Sequence, residues 1–398
     1  MRGAAVSLTV SIMIGLLLFA PEPVCAKNLQ EVSIRQISGK TNLEDNDELP
    51  GTGDELLDQM DLNTVQEAID ELLADEDVSF RGLLGELMRG ERPFSMETFK
   101  TAVFSLLNSS WSTQQKLWMN LLILVLAAAL FANFSSIFES GQLGEMSFFF
   151  IYLIIFALLI RNFSTLSAEI TESLSEIVTF MKALAPAYFI AVAAATGAST
   201  ATAFYQVILL GITAVEYLIL YLVLPGIHVF LLLSLVNHLS KEDFLSKMAE
   251  LLKNVICWTM QAILGILAGL QILQNLVAPA LDSLKRTAIG RTAGAIPGVG
   301  NAINSVTELV IGSAALIRNC VGAAAVIILL LFAIRPLVHV ALTGFAYRLL
   351  AAVIQPISDL RMVGALQAVG EGCALLLKAL FTTELLFLLT IAIVASAA

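Results

Sequence analysis

Between residues 117 and 395 the chain returns repeatedly to apolar runs, among them 117–138, 148–160, 255–281, 321–341 and 380–395. A bilayer's hydrocarbon core of roughly 30 Å is crossed by a helix of about twenty apolar residues, so runs of this kind constrain the fold more than any other feature. The composition agrees. Hydrophobic residues make up 58% of the 398 and charged residues 14%, whereas soluble domains are about a quarter charged. The mean hydropathy is +0.84. The fold expected is all-α, a polytopic membrane helix bundle of about eight spans.

Charge divides the chain. Residues 27–116 hold eight Lys/Arg against eighteen Asp/Glu, while 117–398 hold thirteen against fourteen. An acidic head therefore precedes an almost neutral body, and nucleic acid is excluded as a partner because its phosphates would repel the head. The first 26 residues have one positive charge at Arg2, an apolar core from about Ala4 to Ala20, and small side chains at Val24-Cys25-Ala26. This pattern is that of a cleaved secretory signal peptide. It divides the chain into a signal at 1–26, an acidic extracytoplasmic segment at 27–116 and a multispanning domain at 117–398.

Residues 27–55 are polar and aperiodic, as flexible segments are. After them Leu56, Leu57, Met60, Val65, Ile69, Leu72 and Leu73 recur at helical spacing, followed by Leu83, Leu84, Leu87 and Met88 and then Phe99, Val103, Phe104 and Leu107. Short amphipathic helices are expected here, packed as a small helical head. Their carboxylates match no calcium loop and read as the wet faces of those helices.

In the body, 117–138 is the first span, entered past Trp111, Lys116 and Trp118, residues suited to the membrane interface. The run 148–160 closes at Arg161. Leu166, Ile170, Leu174, Ile177, Val178 and Met181 then share one helical face opposite Glu169, Glu172 and Glu176; this reads as an amphipathic helix lying on the membrane. Residues 183–239 are expected to divide into three spans at Pro186 and Pro225-Gly226. Within them 191–204 is built almost wholly of small residues. That suits close helix packing, with a pore-lining stripe of Thr196, Ser199, Thr200 and Thr202 as the alternative. The segment 238–254 carries Lys241, Lys247 and Lys253, with Phe244, Leu245, Met248, Leu251 and Leu252 on one face, and the positive-inside rule makes it cytoplasmic. Gly265 and Gly269 in the next span form a G-x-x-x-G contact face.

The stretch 290–306, with Gly290, Gly294, Pro297, Gly298 and Gly300, cannot form an uninterrupted helix, because Pro removes a backbone donor and Gly adds flexibility. It lacks the Lys, the hydroxyl and the preceding strand of a phosphate loop. A re-entrant hairpin and an exposed loop both remain open. No nucleophile elbow, zinc motif or paired Ser/His is recognisable, Cys25, Cys257, Cys320 and Cys373 lack metal spacing, and no enzyme activity, metal or cofactor is expected. Charges inside the apolar runs are Glu216, Glu308, Arg318, Arg335, Glu371, Lys378 and Glu384. Arg335-Pro336 and Lys378 read as helix ends, whereas Glu216 and Glu308 are candidates for a buried functional or assembly role.

The order of features carries a family resemblance: a signal and acidic head, then APAYFIAVAAATGASTATAFY (185–205), SLVNHLSKEDFLSKMAELLK (234–253), TAGAIPGVGNAINSV (292–306) and LLAAVIQPISDLRMVGALQAVG (349–370). The chain resembles the stage III sporulation protein AE family over most of 100–398. The resemblance implies a multispanning subunit of a secretion or feeding-channel complex in the mother-cell membrane facing the forespore. It also implies membrane lipid and other subunits of that complex as partners, including ring-forming proteins and a separate ATPase. An autonomous secondary transporter, with broken helices and Glu216 or Glu308 along a substrate path, is the alternative.

Overall fold

The computed structural model describes residues 60, 62–72, 79–90, 119, 122–123, 126, 141–239, 243–293, 300–356 and 358–396. The signal peptide, most of the acidic segment and most of the span expected at 117–138 lie outside the described residues. Within them the chain is helical throughout, without strands.

Two short helices come first. In α1 (Leu62–Leu72) the residues Leu62, Val65, Ala68 and Ile69 form one buried face with Met60. In α2 (Phe80–Met88) Ser79 is the N-cap, its Oγ accepting from the Gly82 N–H at 3.1 Å, which satisfies one of the donors a helix start leaves open. Gly90 at φ 73° follows the last turn, a conformation glycine adopts without penalty. The Phe80 N–H donates to Gln66 Oε1 at 2.7 Å and ties the two together. These are amphipathic helices in the expected places, with α1 packing on α3 and α2 on α7 of the body described next.

The body consists of very long helices: α3 (Gly141–Thr196), α4 (Ala198–Ala214), a π-helical segment (Val215–Val223), α5 (Leu224–Leu239), α6 (Ser246–Ala293), α7 (Gly300–Ile354) and α8 (Leu360–Ser396). Among the described residues, five stretches are long and apolar enough to cross a membrane: Phe149–Thr196, Ala201–Leu239, Ser246–Leu270, Gly312–Ile354 and Leu360–Ala392. Two breaks behind the expected count of about eight, at Pro186 and Pro225-Gly226, are absent, while most of the span expected at 117–138 lies outside the described residues. Pro186 lies inside α3 and Pro336 inside α7. Each proline removes one backbone bond, but the residues beside Pro186 (Leu184, Ala185, Ala187, Tyr188) are buried against neighbouring helices and hold it helical. Pro225 follows a π turn in which the Leu224 N–H bonds Ile219 O, five residues back. That wider turn gives room where a proline ring meets the carbonyl four residues before it. Lys378, like Arg335, sits in mid-helix and not at a helix end.

The break within 183–239 falls at Gly197, whose φ of 108° is closed to most side chains. There the chain reverses. Phe189 meets Tyr205 edge to face at 5.4 Å, and Lys182 Nζ lies 2.9 Å from Glu216 Oε2, so α4 and the π segment run back along α3. The face Leu166–Met181 is buried as expected, but neighbouring helices and not lipid headgroups cover it, so this stretch does not lie flat on a membrane.

α3 is the hub. α7 runs antiparallel to it, with Phe180 against Phe332 at 5.5 Å and Glu169 against His339 at 3.0 Å. α8 returns along α7: a methyl on Gly344 would sit 3.0 Å from Cys373 Cβ, and one on Gly322 would sit 3.3 Å from Ala395 Cβ. Small residues thus bring these backbones together. α6 runs back along α5, Ile256 meeting Gly226. The described helix ends therefore fall into two groups. The starts of α3, α6 and α8 with the ends of α5 and α7 lie at one end; Gly197, the end of α6, the start of α7 and the end of α8 lie at the other. Gly265 and Gly269 on α6 have nothing within 4 Å of an added methyl among the described residues, so the expected G-x-x-x-G contact is not made there.

Candidate functional site: polar groups within the helical body

Glu216 opens the π segment and is half-exposed, its charge answered by Lys182. Thr196 ends α3, with Oγ1 donating to Val192 O at 2.9 Å; Thr202 does the same to Ala198 O at 2.7 Å. Ser199 and Thr200 lie in the first turn of α4, and Glu308 and Gly300 in the first turns of α7; the side chains of Ser199, Thr200 and Glu308 lie outside the described residues. Gly290 is in the last turn of α6, while Gly294, Pro297 and Gly298 fall outside the described residues. The described part of α6 ends at Ala293 and that of α7 begins at Gly300. Thr196 and Ser199 flank the Gly197 reversal at one end of the body, and Glu216 lies below them along its axis.

The other intrahelical charges have partners that sequence spacing does not reveal. Buried Arg318 donates through Nη2 to Ala395 O at 3.0 Å and to Asn319 Oδ1 at 3.1 Å, pinning the end of α8 onto α7. Lys253 on α6 reaches Glu371 on α8 at 2.5 Å and lies 5.8 Å over the Phe230 ring. Arg335 is exposed on α7 within electrostatic reach of Glu176. Lys378 is half-buried. Glu384 stands apart: it is 4% exposed, and neither carboxyl oxygen has a hydrogen-bond partner among the described residues. Buried polar groups are nearly always paired, so this carboxyl is the most costly group in the interior.

Two histidine contacts were not legible in the sequence, because their partners lie far away in it. His339 Nδ1 is 3.0 Å from Glu169 Oε2. His228 Nε2 is 2.8 Å from Ser167 Oγ, with the Phe163 ring edge-on at 5.5 Å. The second is a paired Ser/His within apolar helices, which the sequence did not reveal. A serine nucleophile also needs a group that orients the base and space for a reacting carbonyl. Ser167 is 1% exposed in mid-helix, and no such orienting group contacts His228 in the described pair. The pair is best understood as two buried polar groups satisfying each other. Among the described residues no three His, Cys, Asp or Glu side chains gather as metal ligands.

Chemically, this body offers charge pairs and a polar face on α3, and no assembled catalytic centre among the described residues. Comparison with known proteins gives the setting. The family model described as stage III sporulation protein AE matches residues 78–398. A curated relative, stage III sporulation protein AE of Bacillus subtilis (strain 168), is 27% identical over 320 residues, covering 80% of each chain. No solved structure matches.

Proposed function

The chain belongs to the stage III sporulation protein AE family, and on that premise we propose that it is a non-enzymatic membrane platform or channel subunit of the secretion apparatus linking mother cell and forespore. A role in sporulation follows from the family itself; the platform or channel role is our reading. The observation that carries it is the extent of the family match, which takes in α2 and the whole helical body and is not confined to a short motif. A multi-pass body built of charge pairs and close helix contacts is suited to holding other subunits in a membrane. We place the chain in the mother-cell membrane facing the forespore, the acidic head outside the cytoplasm, with a separate ATPase and ring-forming proteins as neighbours.

Deleting the gene in a spore former tests this. The expected result is normal engulfment followed by shrunken forespores and loss of late forespore gene expression. A detergent pull-down from sporulating cells should recover the ATPase and ring proteins. Normal forespores in the deletion strain would overturn the role, and solute transport by the purified chain alone in liposomes would favour an autonomous transporter.

A further inference from the structure

At one level of its length the body has a greasy side and a wet side. Two contacts fix that level: Lys182 with Glu216 at 2.9 Å and Ser167 with His228 at 2.8 Å. Residues 167–182 of α3 therefore lie alongside residues 216–228 of the π segment and α5. On the latter side the exposed residues of this interval are Tyr217, Leu218, Tyr221, Leu222 and Pro225. At the height set by Ile256 against Gly226, α6 exposes Val255 and Trp258 beside Asn254. Apolar side chains of this kind, exposed on a multi-pass protein, are solvated by lipid tails.

On α3 the pattern inverts. Between 161 and 182 every exposed residue except Ala168 is polar or charged. Glu169, Glu172, Glu176 and Thr179 recur three or four apart, on one stripe of the helix. α7 adds Arg335, also exposed, and His339, paired with Glu169. The hydroxyls of Thr165, Ser173 and Thr179 are satisfied by carbonyls of their own helix, Arg161 O, Glu169 O and Ser175 O, so the carboxylates and Arg335 decide what this face can touch. Charged groups at membrane depth face a bundle interior or a water-filled space and not hydrocarbon. Among the described residues, this stripe does not face the interior of its own chain.

We propose that the face of α3 from Arg161 to Lys182, with Arg335 and His339 of α7, lines a water-filled passage at membrane depth. From Arg161 to Lys182 the helix rises about 32 Å, enough to cross a hydrocarbon core. The greasy surface at the same height argues against this stretch standing outside the membrane. One wet face and one greasy face make one wall, so the rest of the passage is built by protein other than the described helices of this chain. This goes beyond the sporulation role, because wetting can be measured whether or not that role holds.

Single cysteines placed in the full chain, in membrane vesicles from sporulating cells, read it directly. Each variant is compared with the parent chain, using a membrane-impermeant cationic methanethiosulfonate applied to both faces of the membrane. The reagent needs an ionised thiol in water, so Glu172→Cys and the milder Thr179→Cys should react about tenfold or more faster than Leu222→Cys. If all three react alike and fast, the level lies outside the bilayer and the proposal fails. If none reacts above the parent, the stripe is covered by protein, and it fails equally. Sporulation of the same variants reports separately on the family role.

Discussion

Ser167 and Glu384 show how differently two buried polar side chains can stand. Ser167 is matched by His228 across 61 residues of sequence, so Ser167→Ala removes one buried hydrogen bond. It should lower stability in detergent by about 1 kcal/mol with sporulation intact; loss of sporulation at unchanged protein level would mean the hydroxyl does chemistry. Glu384 has no matching group for either oxygen among the described residues. Replacing it with an apolar residue of similar size removes two orphaned acceptors, so Glu384→Leu should raise thermal stability, by roughly 1–3 kcal/mol. A fall in stability would mean that this carboxyl is held by a partner from outside the chain. Spacing could flag Glu384 as a charge in an apolar run, but only packing distinguishes it from Glu371, which Lys253 neutralises.

Helix faces were legible along α3, and helix ends were not. The apolar positions Leu166 to Met181 are buried as their period requires, because periodicity reports which side of a helix is covered. It does not report what covers it, and here the cover is α7, α8 and the returning α4–α5. Prolines misled more. A proline weakens a helix locally, yet packing on both sides carries the helix through Pro186 and Pro336, while a lone glycine among many small residues makes the turn. Pro186→Ala should therefore leave stability unchanged or higher. Gly197→Ala, forced into φ 108°, should cost about 1–3 kcal/mol, measured as a lower unfolding midpoint in detergent. If the proline variant were the more damaging, the assignment of the reversal to Gly197 would be wrong.

Across the whole molecule, the two ends of the body carry different connections, and that gives a topology prediction. Hydrophilic labels near Gly197 and near the end of α8 should react from the same side of the membrane. Labels at Phe244 and at Ser358 should react from the other side, which is the cytoplasmic one if Lys247 and its neighbours obey the positive-inside rule. Labelling of Phe244 and Gly197 from one side would refute the arrangement. The tight reversal has a consequence for how the protein is made. With one residue between Thr196 and Ala198, no loop exists that could be left behind on the wrong side while one leg enters. The two legs must be inserted as a pair or not at all, and a failure at this step leaves the orientation of every later helix unchanged. An insertion error here is silent for the rest of the chain, which makes the hairpin a tolerant place for the membrane machinery to fail and try again.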